Sequence, residues 1–263
     1  MIPIALTIAG SDSGGGAGLQ ADLKVFERFG VFGTSVVTAI TAQNTRGVSG
    51  WSAIDAVLVR AQLDAVATDL RPAAIKSGML ADERVIGAVA AGIRAHGLRP
   101  YVLDPVMVAT SGDPLLAHGA ISAIVSELFP LATLVTPNLD EAALLLGHRL
   151  STPDEMARAA RRLVEERGAS AALVKGGHLA GGRGSIVVVV LFDGTREERW
   201  ERPRLTTTST HGTGCTLSAA IAAGLAHGAA LRDAIDAALA YVYRAIATAP
   251  GLGSGHGPLN HRA

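Results

Sequence analysis

Cys215 is the only cysteine of the chain, and it stands in the stretch THGTGCT (residues 210–216), directly before an apolar, alanine-rich run. Glycines at 212 and 214 free the backbone to turn successive N–H groups toward one point, and a helix starting there adds the partial positive charge of its N-terminus. Gly212, Thr213, Gly214 and Cys215 therefore read as an anion nest, suited to a phosphate or to charge developing on a phosphoryl group in transfer. A thiol at such a terminus is expected to fall below its ordinary pKa of ~8.5 and gain thiolate character. The plain alternative is a glycine turn beside a buried structural cysteine.

Asp104 and Glu141 each follow a short apolar run, with Asp140 beside the second. Carboxylates on one rim could hold Mg²⁺ directly or through water. Asp140 and Glu141 equally suit first-turn acids that complement a helix dipole, with Asn138 as the N-cap. Lys175 ends another apolar run just before Gly176 and Gly177. There it could meet phosphate oxygens as a point charge, or be an ordinary surface lysine. Gln43 ends an apolar stretch, and its carboxamide both donates and accepts, as an aminopyrimidine edge requires. Met79, Val106 and Met107 could wall a flat ring, or each could be plain core.

The glycine-rich GSDSGGGAG (residues 10–18) contains the start of a G-x-G-x-x-A pattern, running from Gly16 to Ala21. A dinucleotide site would then need an acid after the second strand, where Gln43 and Asn44 stand instead. G-x-x-x-x-G-K-[ST] does not occur. What remains is a loop allowing close approach of a ligand to the backbone, with Asp22 one turn into the next helix as ligand contact or cap. The histidines show no H-E-x-x-H spacing. Cys215 with His211 or His178 could make a cysteine hydrolase, but the rim acids and Lys175 would then have no task.

Elements that must position these residues alternate along most of the chain. Strands are predicted at 4–9, 34–42, 73–76, 101–104, 133–136 and 171–175, and helices at 18–29, 55–69, 82–96, 114–127, 138–146 and 153–167. This order implies right-handed crossovers and a mostly parallel sheet with helices on both faces. Residues 185–192 and 197–205 read as a hairpin closed by Asp193-Gly194. Helices at 214–228 and 231–248 follow, then a glycine-rich tail expected to be irregular. Ligands of such sheets sit beyond the carboxyl ends of the strands, so the loops named above should converge on one face.

The 263 residues suffice for one large core, and no linker or internal repeat divides them, so a single domain spanning 1–263 is expected. Lys plus Arg and Asp plus Glu both total 23, and aromatic residues make up only 4%. That balance offers neither a basic face nor stacking platforms for nucleic acid. A lone cysteine excludes an internal disulfide and a multi-thiolate zinc site. No run approaches the ~20 apolar residues that cross a bilayer, and the opening segment lacks the basic flank of a signal peptide. The expectation is a cytoplasmic protein without membrane or nucleic-acid partners.

Taken together, ALTIAGSDSGGGAGLQADLKVF, TAITAQNT, KSGML, VLDPVMVATSGDPLL, TPNLDEA, VKGGH, THGTGCTLSAA and the terminal GHGP resemble the ribokinase superfamily. Within it, they resemble the bacterial hydroxymethylpyrimidine/phosphomethylpyrimidine kinases of thiamin biosynthesis. The resemblance implies a three-layer α/β ribokinase-like fold, commonly a homodimer. It implies ATP- and Mg²⁺-dependent phosphorylation of 4-amino-5-hydroxymethyl-2-methylpyrimidine, then of the monophosphate. Gln43 would bond the pyrimidine, with Gly10, Asp22, Met79 and Val106 around it. Asp104 and Glu141 would serve the magnesium–phosphate region, and Lys175 and Asn138 the nucleotide. Other ribokinase-like enzymes carry an Asp base in G-A-G-D, where this chain has G-T-G-C. Pyridoxal kinases of similar type add a second cysteine in the lid loop, which VMVATSGDPLL lacks; this favours the pyrimidine. A non-catalytic pyrimidine-binding regulator is a third reading.

Overall fold

The computed structural model describes residues 2–107, 119–177 and 186–263. Among them, nine strands form one sheet in the order β3-β2-β1-β4-β5-β6-β7-β8-β9. The strands are β1 (Ile4–Asp12), β2 (Phe32–Asn44), β3 (Gly47–Ala53), β4 (Ala74–Ser77), β5 (Tyr101–Leu103), β6 (Leu134–Val135), β7 (Ala172–Lys175), β8 (Ile186–Phe192) and β9 (Glu197–Pro203). β2, β1, β4, β5, β6 and β7 run parallel, while β3 at one edge and β8–β9 at the other are antiparallel. The parallel centre and the β8–β9 hairpin agree with the hydrophobic pattern.

β3 was not expected. Its GVSGWSA carries two glycines and pairs with β2 alone, so it shows neither an apolar run nor a clean alternation. The helices expected at 18–29, 55–69 and 82–96 are α1 (Gly18–Arg28), α2 (Ala56–Asp69) and α3 (Glu83–His96). The one expected at 114–127 is described only as a short α4 (Ala120–Ala123) running into a π-helical turn at Ile124–Leu128. Residues 114–118 of that expectation, and most of the VMVATSGDPLL loop, lie outside the described residues. α5 (Leu139–Leu146), α6 (Pro153–Glu165), α7 (Thr213–Ala226) and α8 (Leu231–Ala247) complete the set.

Alternation along the strands divides the core into two layers. Leu6 and Ile8 of β1 face the cluster built with α2, α3, α5 and α6, whereas Ala5 faces the cluster of α1, α7 and α8. α7 is apolar nearly all round because it is wedged between sheet, α1 and α8. The tail is irregular, as its composition suggests, but it is pinned. Gly257 O accepts the His211 N–H, Thr45 O accepts the His256 N–H, and His261 O accepts the Tyr241 hydroxyl.

Candidate active site

The carboxyl ends of the parallel strands open onto a cavity of about 610 Å³. Its first wall is the glycine loop after β1. Asp12 organises that loop: Oδ1 accepts the Gly14 N–H (2.7 Å), and Oδ2 accepts those of Gly16 (2.9 Å) and Ala17 (2.8 Å). His211 Nε2 lies 2.8 Å from the same Oδ2. Burial works against the charge on Asp12, but His211 and the amides outweigh it and hold the carboxyl below its usual range. A β-carbon on Gly16 would come within 2.6 Å of the His211 ring. One on Gly212, which has φ +80°, would strike the Gly16 carbonyl. The two glycine loops are therefore interlocked, and neither position tolerates a side chain.

Gly212 caps α7, whose first turn presents Thr213, Gly214 and Cys215 to the cavity. Two lysines flank that turn. Lys175, at the end of β7, donates to Asp104 Oδ1 (2.8 Å), and a β-carbon on Gly214 would sit 3.1 Å from its Nζ. Asp104 also accepts from Thr136 and Ser218. Burial raises the Asp104 carboxyl, yet Lys175 and Lys76 prevail and keep it low. Lys76, from β4, borders the cavity from beneath with no exposed surface and donates to Asp22 at 2.8 and 3.1 Å. Burial opposes its charge, but Asp22, Cys215 and Asp104 hold the ammonium above its usual range.

Cys215 is partly exposed to the cavity, and the Gly18 backbone N–H at the start of α1 favours its thiolate. The expected low thiol pKa is corrected here. Burial pushes the thiol up to about 11, with Asp22 and Asp104 adding to the rise and Lys76 opposing it. Lys76 and the Gly18 N–H do not offset the desolvation of a thiolate here.

Glu141 and Asn138 form a capping box at the start of α5: Glu141 Oε2 accepts the Asn138 N–H and Asn138 Oδ1 the Glu141 N–H. Both also line the cavity, so the capping and site readings hold together. Burial pushes the Glu141 carboxyl up to about 7; Lys175 opposes the rise and Asp104 adds to it. Among the described residues no group of three His, Cys, Asp or Glu gathers as an all-protein metal site. Asp104 and Glu141, two buried carboxylates whose charges disfavour each other, are the set that could share a cation.

The lining on the β1, β2 and β4 side is mixed in polarity. Gly10 lies at a register shift in β1–β2, where a β-carbon would press on Met79 Sδ at 2.9 Å. Gln43 sits at a second shift between β2 and β3, which turns it toward the cavity, and Thr41 donates to its carboxamide oxygen. Met79 and Val106 add apolar wall. The lining on the β8 and α8 side is mostly apolar. It comprises Val187 and Val189 of β8 and Leu239, Val242 and Ile246 of α8, with Arg202 and Arg204 at its rim.

The profile of the phosphomethylpyrimidine kinase family matches residues 12–260. The chain belongs to that family. A hydroxymethylpyrimidine/phosphomethylpyrimidine kinase of Rhizobium meliloti (strain 1021) is 53% identical over 264 residues, covering 99% of this chain and 97% of the relative. Its counterpart in Bacillus subtilis (strain 168) is 44% identical, covering 98% and 94%. Among solved structures, an ADP complex of Bacillus subtilis pyridoxal kinase superimposes with a TM-score of 0.91 at 38% identity, covering 100% of this chain and 98% of that one. A phosphomethylpyrimidine kinase from Clostridium difficile 630 gives 0.82 at 36%, covering 93% and 99%. The ribokinase-like α/β fold and a phosphotransferase activity follow.

Within this kinase, Gly10, Gln43, Met79, Val106, Asp104, Asn138, Glu141, Lys175 and residues 212–215 border one cavity. Asp22 does not. It is fully buried behind Lys76, because its face of α1 packs on the sheet instead of the cavity. Met107 belongs to the core. His211 serves Asp12, which leaves the hydrolase reading without that base; His178 lies outside the described residues. Sequence reasoning passed over Asp12, although it sits within the glycine loop it organises, and Lys76, although it opens the KSGML motif. It also missed the apolar end of the cavity, whose valines and leucines look like core in the sequence.

Proposed function

We propose that this kinase phosphorylates 4-amino-5-hydroxymethyl-2-methylpyrimidine with ATP and Mg²⁺, and then converts the monophosphate to the diphosphate used for thiamin diphosphate. The observation that carries this reading is the single cavity. Its lining combines Gln43, Met79 and Val106, which suit an aminopyrimidine, apolar side chains of β8 and α8, which suit a nucleotide base, and the first turn of α7 with Lys76 and Lys175. In-line transfer needs this layout, since catalysis of phosphoryl transfer is mainly positioning and charge neutralisation.

Gln43 and Met79 would hold and stack the pyrimidine. The N–H groups of residues 212–215 would receive the equatorial oxygens of the group in flight. Lys175 would exchange Asp104 for nucleotide phosphate oxygens, with Asn138 beside it. Asp104 and Glu141 would hold Mg²⁺, in part through water, and the cation would supply charge neutralisation at the phosphates. In the first step the acceptor is an alcohol and must lose a proton; Cys215 is the candidate base, a role open to it only as the thiolate and against its raised pKa, and its other role is in the anion nest. In the second the acceptor is a phosphate already anionic at neutral pH, its second pKa being ~6.

A homodimer is supported by exposed apolar side chains at the β2–β3 edge and the start of α2, among them Ile40, Val57 and Leu58. A cytoplasmic setting suits an active-site thiol that must stay reduced. Pyridoxal is the second candidate acceptor, because the pyridoxal kinase of Bacillus subtilis superimposes over the full chain.

The test is ATP consumption with Mg²⁺ and each acceptor, products being identified by mass. Pyrimidine mono- and diphosphate should both form. Pyridoxal phosphate as the main product would move the enzyme to vitamin B6 salvage, and binding without turnover would make it a regulator.

A further inference from the structure

Phosphoryl transfer needs the acceptor and the group in flight at the right spacing. Here that spacing depends on two loops: residues 10–18, beside the acceptor, and residues 212–215, which start α7. The acceptor side is one unit. Ser13 Oγ donates to the Gln43 carbonyl at 2.7 Å and accepts the Gln43 N–H at 2.8 Å, so the glycine loop and the end of β2 are joined. Asp12 fixes the loop's own shape through the amides of Gly14, Gly16 and Ala17. The same carboxylate has one more partner. His211 Nε2 lies 2.8 Å from Oδ2, and it belongs to the residue directly before Gly212, 199 positions along the chain.

Asp12 has its loop amides whether or not His211 is present, so the bond to the ring acts between loops rather than within one. Both side chains are withdrawn from water, His211 at 8% exposure and Asp12 at 3%. A ring N–H donated to a carboxylate is directional and roughly twice as strong as a neutral hydrogen bond, so it sets a distance and an angle. Close stops stand beside it: a β-carbon on Gly16 would meet His211 Cδ2 at 2.6 Å and Pro258 at 3.0 Å. The C-terminal tail completes a triangle. Gly257 O accepts the His211 N–H at 3.1 Å, while Thr45 O, just past Gln43, accepts the His256 N–H at 2.7 Å. One segment thus seats His211 and anchors the acceptor strand.

We propose that Asp12 and His211 are positioning residues for phosphoryl transfer: their bond sets the spacing between the acceptor held at Gln43 and the phosphoryl group received at residues 212–215. This rests on the reading of those two regions as acceptor and phosphoryl sites. The pair acts through the loops it joins. Loosening it leaves each site formed and shifts one against the other, and a misplacement of about 1 Å can cost on the order of 10²-fold in rate. Spacing matters to whichever oxygen attacks, so the alcohol and the monophosphate should suffer alike. Water needs no placed acceptor, so ATP hydrolysis should outlast the loss of transfer.

The test uses the full chain with ATP, Mg²⁺ and whichever acceptor the wild type converts, hydroxymethylpyrimidine or pyridoxal. Conversion of pyridoxal alone would overturn the substrate reading, and the positioning role would then be read with pyridoxal. His211→Leu removes the donor at similar volume, and His211→Gln returns an N–H near the place of Nε2. Gly16→Ala presses on the ring from the loop side with both partners retained, and it carries the test should the leucine variant fail to fold. His211→Leu should lower kcat about 10–100-fold, with acceptor and ATP KM within about twofold of wild type. ADP should then exceed phosphorylated acceptor severalfold, where the wild type forms the two in equal amounts. His211→Gln should recover most of the kcat and the balance, and Gly16→Ala should reproduce the leucine phenotype. A raised KM with kcat unchanged overturns the proposal. A fall in kcat with ADP and product still balanced overturns it too, as does a glutamine variant no better than leucine.

Discussion

Two lysine–aspartate pairs flank the first turn of α7, and they are built to opposite specifications. Asp22–Lys76 has 0% exposure on both side chains, although Lys76 borders the cavity, while Asp104–Lys175 is exposed to it at 2% and 13%. Among the described residues, Lys76 gives its hydrogen bonds to Asp22 alone. Asp104 is shared among Lys175, Thr136 and Ser218, so it keeps partners if Lys175 turns away. A charge in low dielectric cannot leave its partner without a large penalty, whereas one at a wall can trade a carboxylate for a phosphate. The same residue types thus form a fully buried pair in one place and a pair partly open to the cavity in the other.

The strongest way to break this contrast is Lys76→Met, which strands the Asp22 charge in the core. It should cost about 3–5 kcal/mol of stability in urea unfolding. A loss under ~1 kcal/mol would show that the pair is not sealed. Lys175→Met should do the reverse. kcat/KM for phosphoryl transfer should fall on the order of 10²–10³-fold, about 2.7–4 kcal/mol, with a smaller loss of stability than Lys76→Met. If the stability losses came out in the other order, the roles would be exchanged.

Gln43→Ala sharpens the division between the cavity's ends. Pyrimidine kcat/KM should drop by ~1–3 kcal/mol while the ATP KM is unchanged. A parallel loss in ATP affinity would show that Gln43 does not belong to the acceptor end.

Acid gives the smallest effect, and it should act on the tail before either pair. His261 is buried against Thr216 and its pKa is pushed down to about 4, by burial first and then by Lys24 and His211. Its folded value lies below its unfolded one, so the unfolded chain binds the extra proton. Stability from this group is complete above ~6.5 and is lost as pH falls toward 4, by about 1 kcal/mol at pH 5.5. His261→Gln should flatten thermal stability across that range, and an unchanged slope would assign it to other groups.

The loops were legible because catalysis on a parallel sheet concentrates at strand ends, and a strand end is a local pattern. GSDSGGGAG, KSGML, TPNLDEA and THGTGCT could each be tied to the strand before it, and their residues do border one cavity. The misreadings share a cause. Asp22 is one helical turn past the glycine loop, but whether its carboxylate turns to the ligand or to β4 depends on how α1 rolls on the sheet. Lys76 was hidden because a strand lysine looks solvated until both faces of that strand are known to be covered. β3 carried too few apolar residues to announce itself, and the apolar end of the cavity is chemically indistinguishable from core.

Periodicity, glycine placement and helix caps are short-range consequences of backbone sterics and hydrogen bonding, so the chain by itself determined its fold class, its strand ends and the glycine turn that starts α7 at residues 212–215. Burial is a property of what packs on top. Only the tertiary structure decided that one lysine is sealed and the other open, and that Cys215, at a helix terminus which should acidify it, is instead held as a thiol near 11. Charge stability depends on the dielectric and the partners within a few ångströms, and those come from segments far apart in the sequence.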